Sequence, residues 1–140
     1  MPTKTLEELA DGFALFDNWE DRYRYLIDLG QRLTPMDEAL KTDERLVRGC
    51  TSRVWLNSHI IKDTNGQKIF HFEADSDAQI VRGLIYILTL AYQDKPVGEI
   101  AAVDINAAFE RLGLAGHLSP SRRNGFFAMV EHIKAQSLMP

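Results

Sequence analysis

The sequence predicts an α+β fold, an antiparallel three-stranded sheet packed against a layer of helices, and three observations predict it. Apolar residues recur at helical spacing near both ends of the chain and again over residues 77–92. Between these stretches the period changes to alternation: Val54 and Leu56 against Arg53 and Asn57, then Phe70 and Phe72 against His71 and Glu73. Asp63-Thr64-Asn65-Gly66 separates the two alternating runs, and Asn-Gly is the strongest short hairpin signal. Helices on either side of a hairpin sheet imply one helical layer on one antiparallel sheet. The 140 residues suit a single domain, 1–140.

The elements follow in chain order. Leu6, Leu9, Phe13 and Phe16 predict an amphipathic helix near residues 4–16. Asp17-Asn18 offers a stop and a new N-cap, after which Trp19, Tyr23, Leu26, Ile27 and Leu33 share a face of a second helix, ended by Thr34-Pro35. Residues 36–45 are polar without a period and predict a surface loop. A short strand at 45–48 is expected to pair with the first strand of a hairpin at 52–62 and 67–74. That leaves Arg48-Gly49-Cys50-Thr51 at the connecting tip. Ser76-Asp77-Ala78-Gln79 fits a capping box, with Ser76 as N-cap of a helix over about 77–92. That helix is apolar on most sides, so it is expected at the centre of the core. Pro96 begins a helical turn, Asp104 caps a brief helix to Leu112, and Gly113 stops it. Ser119-Pro120 opens the last helix, with Phe126, Met129, Val130 and Ile133 as its apolar stripe.

Composition narrows the function. Twenty acidic against sixteen basic residues give a net charge of −4, which argues against nucleic acid as the main partner. The most apolar run, 80–91, is too short to span a membrane and carries Arg82. The N-terminus is acidic and lacks the pattern of a signal peptide, so a cytoplasmic location is expected. With one cysteine there is no internal disulfide and no CxxC cycle. His59, His71, His117 and His132 lack zinc-site spacing, so no metal site is expected. Any cysteine chemistry must run through Cys50 and a second molecule.

A free cysteine is most often a small buried hydrophobe. Cys50 instead lies at a loop–strand junction among Arg48, Thr51, Ser52 and Arg53. Cations and hydroxyl donors favour the thiolate, which is the nucleophilic form. Gly49 removes a side chain that would obstruct a molecule approaching the sulfur.

The run Val47-Arg48-Gly49-Cys50-Thr51-Ser52-Arg53-Val54-Trp55-Leu56 closely resembles the V-x-G-C-x-S-x-V-W-L signature of the SufE family, which includes CsdE. Three further segments resemble the family in the expected order. Asn18 to Tyr23 with Leu29 to Leu33 is similar to its N-terminal helix pair. Asp75-Ser76-Asp77 with Ile80 to Leu84 is similar to its D-S-[DE]-x-x-I-V-x-G-L segment. Leu112-Gly113-Leu114, His117 to Arg122 and Asn124-Gly125 resemble its L-x-L-x-x-H-L-[ST]-P-S-R-x-x-G segment. Arg45 departs from the Asn common there, Ala74 from a common Gly, and residues 34–44 have no evident counterpart.

The resemblance implies a SufE/IscU-like fold and a sulfur acceptor rather than an enzyme, with no cofactor of its own. Cys50 would take persulfide sulfur from a pyridoxal-phosphate cysteine desulfurase of the SufS or CsdA kind, raise its turnover, and deliver the sulfur to an iron–sulfur scaffold such as SufBCD. It also implies that Gly49, Arg48, Thr51, Asp75 and Arg122 serve partner binding or control of the Cys50 loop. A carried persulfide must be kept from stray thiols, which predicts that Cys50 is sheltered until docking. Arg122 stands at the first turn of a helix, where the macrodipole disfavours a cation. Asp75 and Asp77 suit a helix N-terminus. Trp55 reads as packing, and His117 as a loop histidine hydrogen-bonded to backbone. A thiol redox sensor and a passive binding module are the competing classes.

Overall fold

A computed structural model describes residues 6–49, 52–114 and 116–138. Helix α1 (Leu6–Ala14) and helix α2 (Trp19–Arg32) lead into two single turns of 3-10 helix at 38–40 and 43–45. Strands β1 (Val54–Lys62) and β2 (Lys68–Ser76) follow, then α3 (Gln79–Tyr92), a two-residue strand β3 (Lys95–Pro96), α4 (Val97–Ile100), α5 (Ile105–Arg111) and α6 (Pro120–Ser137).

The expected α+β class is correct: the sheet is antiparallel, three-stranded and ordered β1-β2-β3. Its third strand is not the expected one. Residues 45–48 contribute a single bridge, Leu46 to Trp55, while Lys95–Pro96 pairs with Ile69 and Phe70 on the other edge of β2. A helical turn over 43–45 uses the residues that would have extended the first pairing. Arg45 secures that turn, donating to Asn57 Oδ1 at 3.1 Å and to Thr42 Oγ1 at 3.1 Å.

The hairpin forms where Asn-Gly predicts it. Gly66 takes a φ of +78°, and Asp63 Oδ1 accepts from the backbone N–H of Asn65 and Gln67. Asn18 caps α2, Asp104 caps α5 and Ser119 caps α6, each accepting a first-turn N–H as the sequence predicts. The Ser76 cap is a correction. Ser76 remains in β2, opposite Val54, and α3 starts at Gln79 with Ala78 at the cap position and no side-chain cap bond. Strand pairing holds Ser76 extended, so its hydroxyl donates to Arg53 O at 2.7 Å and accepts from Ala78 N at 3.2 Å.

Helix α3 is the buried centre, as its all-round apolarity predicts: Ile80, Val81, Leu84, Ile85, Ile87 and Leu88 are all buried. Phe70 and Phe72 close the core from the sheet. Helix α2 crosses α3 at glycines. A β-carbon on Gly83 would meet Leu26 O at 2.2 Å, and one on Gly30 would meet Gln79 O at 2.7 Å. Any larger residue would push the helices apart. No described helix is long and apolar enough to cross a membrane.

Candidate functional site

Cys50 and Thr51 lie outside the described residues, as therefore does the expected shelter of the thiol. What surrounds them is described on both sides. Val47 N–H donates to Val54 O at 2.8 Å, closing the six-residue tip 48–53. Both closing residues are buried, whereas Arg48, Gly49 and Arg53 are exposed. Gly49 adopts a φ of +93°, in the left-handed region that favours glycine. A β-carbon there would also come within 3.2 Å of Ala128 Cβ on α6.

Two clefts flank this tip, and Ser52 lines both. One, of about 410 Å³, has an apolar floor that includes Val54, Leu84, Phe126 and Met129, and a polar rim that includes Ser119 and Arg122. The other, of about 330 Å³, is lined by Asp43, Arg48, Gly49 and Arg53 among others. Arg48 and Arg53, within the tip, and Arg122, from the start of α6, are thus gathered around one loop by two separate stretches of chain. Among the described residues no carboxylate lies within ion-pairing distance of any of the three, although Asp43 shares the second cleft. Among the described residues Arg122 takes part in no ion pair. Its guanidinium lies over the Tyr23 ring, 5.7 Å from the centroid.

Asp75 has a different position from the expected helix-terminal carboxylate. It is the penultimate residue of β2, opposite Trp55, and is 1% exposed. Its carboxylate accepts from Met36 N at 3.0 Å and Ser76 N at 2.8 Å, and pairs with Arg82 and, at 3.5 Å, with Lys41. Burial pushes its pKa up, but the two backbone donors and the Arg82 and Lys41 charges outweigh this and leave it below the usual carboxylate value. Arg82 extends the network to the end of α2 by donating to Gly30 O at 3.1 Å and Leu33 O at 2.8 Å. At the other end, Ser76 Oγ and Asp77 N–H both bond Arg53 O, the last residue of the tip. Asp75 thereby connects to the Cys50 loop through its neighbours.

Sequence reasoning missed Lys41 and Met36 by reading 36–45 as a surface loop. Met36 is in fact 4% exposed. Lys41 Nζ reaches Asp75 and lies 5.4 Å from the Trp55 ring centroid. Isolated single residues in an aperiodic stretch carry no spacing signal. Trp55 packs, as expected. His117 differs from expectation: its ring stacks on Trp19, with centroids 4.4 Å apart and planes within 11°.

Residues 7–137 match a family model described as SufE, Fe-S metabolism associated domain. The chain is 44% identical over 133 residues to an uncharacterized SufE-like protein of Rhizobium etli, covering 95% of this chain and 89% of that one. It is 42% identical over 133 residues to another from Rhizobium meliloti, covering 95% and 94%. The solution structure of a hypothetical protein from Thermus thermophilus superposes with a TM-score of 0.72 over 98% of this chain and 96% of that one. At 16% identity it supports the fold alone.

Proposed function

The chain belongs to the SufE family, associated with Fe-S metabolism, and from that membership we propose that it is a sulfur acceptor for a cysteine desulfurase. The Cys50 thiolate attacks the terminal sulfur of a persulfide on the desulfurase. A new S–S bond forms on Cys50, the old one breaks, and the desulfurase thiolate leaves with the electron pair. The step is thiol–disulfide exchange with one extra sulfur and needs no external oxidant or reductant. With no second cysteine in the chain, no resolving thiol can attack the carried persulfide. A pyridoxal-phosphate desulfurase of the SufS or CsdA kind is the donor, and a SufBCD-like scaffold is the receiver. The protein acts as a carrier and activator in the cytoplasm rather than as an enzyme.

The observation that carries this reading is the gathering of three arginines, with no described carboxylate paired to them, around the tip that holds Cys50. Cations near a thiol favour its anion, and cations left without a carboxylate at an exposed rim suit a docking partner that brings one. On this reading Gly49, Arg48 and Thr51 serve docking beside Cys50, Arg122 serves it from the 410 Å³ cleft, and the Asp75 network holds the base of the tip through Arg53.

The test is intact mass after mixing with a desulfurase and cysteine. The wild type should gain the mass of one sulfur atom on Cys50, and Cys50→Ser should gain none and lose all stimulation of turnover. Full stimulation by Cys50→Ser would instead indicate a passive binding module. Stable sulfenic acid with peroxide, together with no sulfur from the desulfurase, would indicate a redox sensor.

A further inference from the structure

We propose that Tyr23 is a positioning residue for Arg122, holding its guanidinium at the mouth of the 410 Å³ cleft for the docking partner. The inference rests on the sulfur-acceptor reading and names a residue through which that site works.

The sequence places Arg122 against local preference. It is the third residue of an 18-residue helix, where the first-turn N–H groups and the macrodipole oppose a cation. Its own backbone N–H is taken by the Ser119 cap, and among the described residues no carboxylate offsets its charge. The Tyr23 ring is what the structure supplies instead. A guanidinium within about 6 Å of an aromatic centroid is attracted by about 0.5–1 kcal/mol at an exposed site, enough to offset the helix-terminal penalty. Unlike a carboxylate, a ring holds the cation without neutralising it or occupying its N–H donors, so the charge remains available to a partner.

The ring itself is fixed. Tyr23 is half-buried on α2 and packs against the core. One turn earlier on the same helix, Trp19 stacks on His117, pinning the segment that leads into α6. Residues i and i+4 share a helix face, so α2 presents two aromatic rings side by side to the start of α6. Arg122 is therefore anchored at its backbone by the cap and at its guanidinium by the ring.

The experiment is a double-mutant cycle with a purified SufS-type desulfurase, reading complex Kd and the melting temperature of the free protein. Tyr23→Leu should weaken binding by about two- to five-fold, the fold-change expected from losing one such contact. Tyr23→Phe keeps a ring and should restore affinity to near wild type. In an Arg122→Ala background, Tyr23→Leu should cause no further loss. A merely structural Tyr23 predicts otherwise: the loss persists in the Arg122→Ala background and follows the melting temperature. That result overturns the inference, as does wild-type affinity of Tyr23→Leu beside a weakened Arg122→Ala. If Arg122→Ala itself binds normally, the inference and the partner-facing role of Arg122 fall together, while sulfur gain on Cys50 still tests the acceptor reading separately. Should Tyr23→Leu fold poorly, Tyr23→Met, which fills similar space without a ring, enters the same cycle, and the same outcomes support or overturn the inference.

Discussion

Asp75, Arg82 and Lys41 meet in the interior, where a carboxylate that is 1% exposed is bonded by two backbone N–H groups and two cations. A few residues away along β1, Arg48, Arg53 and Arg122 surround the Cys50 tip with no described carboxylate to pair with. The first cluster joins the end of α2, residues 36–41, β2 and α3. In the second, Arg122 lies over the Tyr23 ring. Charges that hold a fold must be desolvated and answered inside it. Charges that serve a partner keep their donors free until the partner arrives. The two clusters share one link, the Arg53 carbonyl, bonded by Ser76 and Asp77 beside the buried carboxylate.

Breaking the interior cluster should have the largest effect on stability. Asp75→Asn removes the charge but keeps the shape, leaving Arg82 without its carboxylate, while Lys41 keeps Glu38 at 3.0 Å. Loss of one partner of a buried ion pair costs about 3–5 kcal/mol, which for a chain of this size lowers the melting temperature by roughly 10 °C. Thermal unfolding followed by circular dichroism checks this. A fall of no more than a degree or so would mean that the pair is already solvated and that the contrast with the exposed rim is wrong.

Acid should dissolve the same contrast by degrees. The pKa of Asp75 is depressed in the folded protein, so folding favours its ionised form. The stability this contributes is present in full above the unfolded carboxylate pKa of about 4 and is lost as pH falls through the lower folded value. Urea titrations should therefore show wild type and Asp75→Asn converging as pH drops below about 4. A gap of constant size from neutral pH to about pH 3 would remove Asp75 as its cause.

These two clusters differed in legibility as well. The core elements could be read because they repeat: α2, α3, the hairpin and α6 each bury several residues at a fixed period, and caps such as Asn18 and Ser119 sit where a helix needs an acceptor. The tip and Arg122 could be read from their resemblance to a family and from a cation placed against a helix dipole. The Asp75 network could not. Its members come from a loop, a strand end and a helix, and a pair such as Lys41 and Asp75, far apart in the chain, leaves no local pattern. Ser76 was misread for a related reason. Its capping-box spelling is genuine, but a cross-strand partner, Val54, competes for the same residue and prevails. The two-residue β3 is too short to show alternation at all.

The smallest expected effect sharpens the comparison from the exposed side. If Arg48 and Arg53 serve docking and not folding, Arg48→Ala and Arg53→Ala should leave the melting temperature almost unchanged, because a surface substitution shifts stability by only about 0.5 kcal/mol. Each should weaken desulfurase binding modestly at low salt, by about two- to five-fold, mainly through slower association. Raising ionic strength shortens the Debye length from about 10 Å near 0.1 M towards 3 Å near 1 M, so the difference from wild type should shrink as salt is added. Stopped-flow association across a salt series separates the two roles. An affinity loss that salt leaves untouched would assign these arginines to packing of the tip, since packing contacts are not screened. A loss that fades with salt while the free protein melts as before would place their charge at the partner's surface, where no interaction of the fold depends on it.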